Sequence, residues 1–313
     1  MNVSDIDLSV TLGTLRMKNP VMTASGTFGY GREYGPFVDP NLLGAVIVKG
    51  LSIKPMPGNP PPRTVETACG MLNSIGLANI GLKAFLEEKL PLLQDLDTEL
   101  IVNIYGHHMN EYGELAAALK GVKGISAVEV NISCPNVDRG GMAFGTDPEI
   151  SAKVTETVLK NTDKPVIVKL SPNVTNITAV AKAVEGAGAH AISLINTLTG
   201  MAIDLEKRTP RLAKMSGGLS GPAIKPVALH MVYQVAKSVS IPVIGVGGIM
   251  DYRDALEFMV VGARAVQVGT ANFVNPKATL DILEGMKGFC IEKGIPRIED
   301  IIGTLVTGSE VKG

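Results

Sequence analysis

Two glycine turns late in the chain carry the strongest chemical signal. Gly245-Val246-Gly247-Gly248-Ile249 and Gly269-Thr270-Ala271 each continue a short apolar run. Glycine lets a backbone approach a ligand closely, and successive N–H groups in such turns hold anions. A phosphate is the expected guest, helped by a short helix N-terminus. The alternative is a pair of tight turns with no guest. A dinucleotide fingerprint is excluded, because Met250 holds the third position after Gly245-x-Gly247 and no ribose-binding acid follows in register.

Polar residues also recur at the ends of other apolar runs: Lys49, Asn103, Asn131, Lys169 and the pair Asn196-Thr197. Lysine is rarely buried without a partner, so Lys49 and Lys169 call for an electron-rich or anionic ligand. Asparagine is both donor and acceptor, which suits a ring edge of alternating N–H and C=O. A turn or cap explains any single asparagine equally well, but explains the set less well.

The third group is Asn131-Ile132-Ser133-Cys134-Pro135-Asn136, followed by Gly140-Gly141. A structural cysteine sits more often inside a strand or helix. Cys134 instead stands on a loop with glycines behind it, as a catalytic thiol would. No basic residue adjoins it, so activation must come from the fold or the ligand. His107-His108 looks like a metal pair, yet adjacent residues point apart and no further ligand spacing accompanies them. They read as surface loop, and no metal site is expected. Cys69, on the long second loop, could reach the pocket but reads better as a packed residue, Cys290 reads as core, and Pro55–Pro62 as a stiff loop.

Something must hold these groups together. Eight short apolar runs read as strands buried on both faces. They are Val21–Ala24, Ala45–Lys49, Leu100–Ile104, Ala127–Asn131, Val166–Leu170, Ala191–Ile195, Val243–Val246 and Ala265–Val268. Helical patterns lie between them, over Leu82–Leu93, Glu111–Leu119, Ile177–Glu185, Pro222–Ser238, Tyr252–Val261 and Lys277–Glu292, with another opened by Asp147-Pro148-Glu149. The segment after Ala24 is Gly-rich and predicts no helix. Eight βα units predict a closed (β/α)8 TIM barrel, one domain over residues 1–313, with a doubly wound sheet as the competitor. The connections Gly50–Lys83 and Asn196–Gly221 are long, and in a barrel such segments build the catalytic face. Leu8–Leu12 with Leu15 predicts a small N-terminal hairpin plugging the barrel bottom.

Composition narrows the function. Lys+Arg is 29 against Asp+Glu 30, aromatics are 4% and Trp is absent, which argues against nucleic-acid binding. Three scattered cysteines form no disulfide framework and cannot supply four iron–sulfur ligands. Their number favours a reducing compartment. There is no secretory signal pattern and no apolar run near eighteen residues, so a cytoplasmic protein without a membrane span is expected.

Together these residues resemble the class 1 dihydroorotate dehydrogenases, and more closely their NAD-linked class 1B. The likeness rests on Ala24-Ser25-Gly26, Lys49-Gly50, the proline-rich run ending at Arg63, and Asn73-Ser74-Ile75-Gly76-Leu77. The Asn131–Asn136 loop with its Val137–Gly145 continuation, Lys169–Pro172, Asn196-Thr197 and the two glycine turns complete it. The resemblance implies one non-covalent FMN and oxidation of dihydroorotate to orotate in pyrimidine synthesis. A hydride passes from C6 to flavin N5 while Cys134 takes the C5 proton. Lys169 would stand by the flavin N1–C2=O edge, and Lys49 would meet both flavin and substrate. Ser25, Gly26, Gly50, Asn103, Asn131, Ile195 and Gly221 would line the flavin, and Gly247, Gly248, Gly269 and Thr270 would take its phosphate. Asn73, Asn131, Asn136 and Asn196, with Ser74 and Thr197 beside them, would read the pyrimidine. Backbone N–H groups of Ile75, Gly76 and Leu77 would take the carboxylate. The resemblance further implies a homodimer joined to a subunit carrying FAD and a 2Fe–2S cluster, a heterotetramer that delivers electrons to NAD. A dihydropyrimidine-reducing flavin enzyme and a non-catalytic FMN-binding barrel subunit are the alternatives.

Overall fold

Each predicted apolar run becomes a strand, and the eight strands close on themselves. The computed structural model describes residues 6–133, 135–136 and 142–307. Its barrel strands are Val21–Thr23, Ala45–Ile47, Glu99–Ile104, Ala127–Asn131, Val166–Lys169, Ala191–Leu194, Val243–Val246 and Ala265–Val268, all parallel to their neighbours. The eighth pairs with the first, Val268 opposite Thr23, so no sheet edge remains. Nearly every strand residue is buried, because side chains alternate between the barrel interior and the helix layer outside.

The helices follow their caps. Asp147 accepts from the N–H groups of Glu149 and Ile150 and opens Pro148–Asn161. Asp251 does the same for Tyr252–Val260, with Asp254 reaching back to complete a capping box. Two helical stretches are less regular than the pattern predicts. Over Gly81–Leu92 the backbone passes from an α turn to a π turn to a 3-10 turn around Pro91, which has no N–H to give. Pro222–Ile224 forms a 3-10 turn before the helix Lys225–Ala236. After the first strand only the 3-10 turn Pro40–Leu42 appears before the second strand.

The N-terminal hairpin pairs Val10–Leu12 with Leu15–Met17. Val10, Leu12, Leu15 and Met17 are buried, while Thr11 and Arg16 between them are exposed. Its turn at Gly13 lies against His190, just before the sixth strand, at the N-terminal end of the barrel.

The two long connections fold onto each other. Thr64–Thr67, Gly70–Asn73, Gly217–Ser220 and Leu198–Gly200 form one antiparallel four-stranded sheet. Two loops that leave different barrel strands are therefore one structural unit at the barrel's C-terminal face.

Candidate active site

A cavity of ≈ 590 Å³ opens between the C-terminal ends of the barrel strands and this sheet. That size suits an organic ligand. The barrel supplies its floor. Lys169 and Asn131 sit opposite each other at the ends of neighbouring strands. Asn103 and Ile195 line the floor on either side, both buried. Asn196 Nδ2 donates to Asn131 Oδ1 at 3.3 Å, which sets two amides edge to edge. Asn131 Oδ1 also accepts from the Ser133 N–H at 3.0 Å, anchoring the loop that leads to Cys134. Thr197 donates its N–H to Asn196 Oδ1 at 2.8 Å.

The first two strands bring Ser25, Gly26, Lys49 and Gly50 to the cavity wall. Ser25 Oγ donates to the Val48 carbonyl at 3.0 Å, stitching the two strand ends together. Lys49 is half-buried and lies over Gly26, where a Cβ would come within 3.5 Å of Nζ. Burial pushes its ammonium below the usual lysine value, and the nearby Arg63 guanidinium adds to the shift. No carboxylate pairs with Lys49 among the described residues. A cation held this way is ready for an anionic ligand.

The four-stranded sheet carries the rest of the wall. Asn73 ends one of its strands, and Ser74, Ile75, Gly76 and Leu77 continue along the cavity. Gly76 and Leu77 are both left-handed, at φ +72° and +59°. Leu77 is a strained choice there. Its carbonyl is fixed by Tyr105 Oη at 2.7 Å and Asn79 Nδ2 at 3.0 Å. No protein acceptor takes the N–H groups of Ile75, Gly76 or Leu77 among the described residues. Three neighbouring free donors suit a carboxylate.

At the opposite end lie the two glycine turns. Gly247 and Gly248 have φ of +128° and +73°. A Cβ on Gly248 would lie 2.7 Å from Lys225 Cβ and 2.9 Å from the Gly221 carbonyl oxygen, so only glycine fits. The N–H groups of Gly247, Gly248 and Thr270 donate to no protein acceptor among the described residues. Gly221 and Gly269 complete this end, and Thr270 Oγ1 donates to Ser220 Oγ at 2.8 Å, tying the turn to the sheet. Gly221, Gly247, Gly248, Gly269 and Thr270 all line the cavity.

Every other predicted site residue whose side chain the structure describes also lines this cavity. Asn136 is known here only as backbone, in a two-residue strand Pro135–Asn136 paired with Met142–Ala143. Cys134 lies outside the described residues. Two minor expectations need correction. Cys69 is exposed instead of packed, at the turn between two strands of the four-stranded sheet, where, among the described residues, only its backbone is held, by the Ala223 N–H at 2.8 Å. His108 is not free loop but caps the helix Met109–Leu119, with Glu111 closing the capping box. Cys290 is buried in the core as expected.

The sequence reading missed a charged group beneath the floor. Glu129, within the fourth strand, is fully buried and accepts from Asn103, Ser193 and Gln267. A single acid inside Ala-Val-Glu-Val-Asn was the available signal.

The fold and the cavity define a barrel enzyme, with a pair of glycine turns at one end of its pocket and two lysines within it. A sequence profile of the dihydroorotate dehydrogenase family matches residues 7–289. The chain belongs to the dihydroorotate dehydrogenase family. It is 59% identical over 301 residues to the "Dihydroorotate dehydrogenase B (NAD(+)), catalytic subunit" of Geotalea uraniireducens, covering 96% of this chain and 99% of that one. The proteins of the same description from Desulforamulus reducens and a Thermoanaerobacter species are 59% and 55% identical, covering 95% and 96% of this chain and 98% and 99% of theirs.

Proposed function

We propose that this chain is the catalytic subunit of an NAD-linked dihydroorotate dehydrogenase, which oxidises (S)-dihydroorotate to orotate in pyrimidine synthesis. The observation that carries the reading is one cavity with two anion-ready ends. Three free backbone donors at Ile75–Leu77 stand at one end, and the Gly247-Gly248 and Thr270 turns at the other. A carboxylated pyrimidine and a flavin phosphate fit those two ends, with lysines and asparagines between them for the ring edges.

The residues fit FMN. The N–H groups of the glycine turns, with no protein acceptor among the described residues, suit its phosphate, and Gly248 packs too tightly on Lys225 and Gly221 to carry a side chain. Lys169 and Asn103 meet the ring edge from the barrel floor, with Ser25, Gly26, Gly50, Ile195 and Gly221 around it. When bound, FMN accepts the hydride that dihydroorotate gives up from C6.

The chain's own residues do the rest. Cys134 removes the C5 proton, so that the electrons of the C5–H bond form the C5=C6 double bond. Its loop begins at Asn131, which is fixed from two sides by Asn196 and Ser133. Asn73, Asn131, Asn136 and Asn196 orient the pyrimidine through its N–H and C=O groups. The carboxylate is taken by the Ile75–Leu77 N–H groups and by Lys49, which no acid among the described residues neutralises. The four-stranded sheet screens the reacting atoms from water.

A partner completes the circuit. The glycine turns are committed to the flavin, and the described residues offer no second dinucleotide site. Electrons leave for NAD through a subunit with FAD and a 2Fe–2S cluster, in a heterotetramer built on a dimer of this chain. The free Cys69 and Cys290 accord with a cytoplasmic setting, and no helix among the described residues is long and apolar enough to cross a membrane. The test is stopped-flow absorbance at the NADH band with dihydroorotate and NAD. NADH forms only after the partner is added, and rapid NADH formation by the chain alone contradicts the reading.

A further inference from the structure

A carboxylate is sealed beneath the cavity floor, and nothing in the chemistry above uses it. Glu129 lies two residues before Asn131 on the same strand, so it points into the barrel one layer deeper. It is 0% exposed and does not line the cavity. Asn103 Nδ2 donates to its Oε1 at 2.7 Å. Ser193 Oγ and Gln267 Nε2 donate to its Oε2 at 2.9 and 2.6 Å. Lys169 Nζ stands 3.9 Å from Oε1 and donates to Gln267 Oε1 at 3.3 Å. A buried ion pair of this kind is a weak source of stability, because desolvation offsets its attraction. Its value lies elsewhere.

A carboxylate only accepts hydrogen bonds. Asn103 must therefore turn its NH₂ down to Glu129, which leaves its Oδ1 as the acceptor it offers on the cavity side. Gln267 must turn its NH₂ to Glu129 as well, which leaves its Oε1 for Lys169. One acid thus dictates two amide orientations and, through Gln267, the seat of one ammonium. Both Asn103 and Lys169 line the cavity, while Glu129, Ser193 and Gln267 stand behind them.

We propose that Glu129 is a positioning residue. It fixes the polarity with which Asn103 and Lys169 meet the ring of the bound cofactor, and its charge sets that cofactor's midpoint potential. The inference rests on the FMN reading above. Glu129→Gln removes a buried negative charge next to a retained ammonium, so the anionic reduced flavin gains over the oxidised one. Gln267→Leu keeps the charge but removes the amide oxygen to which Lys169 donates, leaving Glu129 as the acceptor nearest the ammonium. Lys169 is then drawn onto Glu129, away from the ring, and the reduced flavin loses. A purely structural network would shift melting temperature in both variants without moving the potential in opposite directions.

The experiment is spectroelectrochemical titration of FMN bound to the purified chain, alongside FMN binding to the apoprotein by fluorescence quenching. Glu129→Gln raises the preference for reduced over oxidised FMN at least tenfold, about +30 mV for a two-electron couple. Gln267→Leu lowers it at least threefold, about −15 mV by the same conversion. If Glu129→Gln does not fold, Gln267→Leu decides alone, since Glu129 there keeps Asn103 and Ser193 as donors. A folded variant of either kind whose potential stays within about 5 mV of wild type overturns the proposal. Wild-type apoprotein that fails to bind FMN overturns the flavin reading instead, so the two failures are distinguishable.

Discussion

Asn73 Nδ2 donates to the carbonyl oxygen of Gly218 at 3.3 Å, joining segments 145 residues apart in the chain. The two residues are also partners in strand register. Gly218 leaves no room for anything larger, since a Cβ there would lie 2.1 Å from Thr197 Oγ1. The cavity-lining loop after the second barrel strand is thereby held by the loop after the sixth. Asn73 and Thr197, two of the groups assigned to the pyrimidine, share one rigid support.

The left-handed Leu77 gives a direct test of that support. Its carbonyl is held by Tyr105 and Asn79. Tyr105→Phe removes one of these bonds, a loss of roughly 0.5–1.5 kcal/mol. The KM for dihydroorotate rises about two- to tenfold while kcat changes little, because the donors to the carboxylate are loosened and the reacting atoms are not. Steady-state kinetics with an artificial acceptor checks this. A fall in kcat at unchanged KM would place Tyr105 in the chemistry instead.

Cys134→Ala leaves FMN bound, since no group assigned to the flavin is altered. Flavin reduction by dihydroorotate slows by about 10²–10⁴-fold, the usual range for loss of a general base. Cys134→Ser rescues little, because a hydroxyl is the weaker base. Rapid-mixing absorbance measures both variants, and reduction at the wild-type rate by Cys134→Ala contradicts the assignment.

Lys49 predicts an unusual pH dependence. Burial, and secondarily Arg63, lowers its folded value below the ordinary 10.5. At pH below the folded value the ammonium is charged in both folded and unfolded chains, and its burial cost is fully present. As pH rises through the folded value toward 10.5, the folded chain sheds the proton first and the cost is relieved. Lys49→Met therefore raises the melting temperature of the ligand-free chain at neutral pH, and the gain shrinks as pH rises. The same variant weakens orotate binding. A melting-temperature difference that is negative, or flat across pH, contradicts the account.

The barrel was legible because strands buried on both faces leave continuous apolar runs, such as Val243–Val246 and Ala265–Val268. The four-stranded sheet was not. Thr64–Thr67 is half-exposed, Gly217-Gly218 has no side chains to show alternation, and their pairing partners lie far away in sequence. Most cavity residues were legible because strand ends carry them to one face. Glu129 and Gln267 were not, because each is a lone polar residue within an apolar run, where periodicity registers only the strand. Tyr105 and Asn79 were missed for another reason: they act on the Leu77 backbone, which leaves no motif.

The central claim is that a flavin in this cavity is reduced by dihydroorotate because the cavity reads both ring and carboxylate. Anaerobic titration of the purified chain, followed by visible absorbance and orotate analysis, tests it most directly. Dihydroorotate bleaches the flavin with one orotate formed per flavin, while dihydrouracil, which leaves the Ile75–Leu77 donors unpaired at roughly 1–3 kcal/mol each, reduces it poorly. Equal reduction by the two substrates, or a flavin that dihydroorotate does not bleach, would contradict the account.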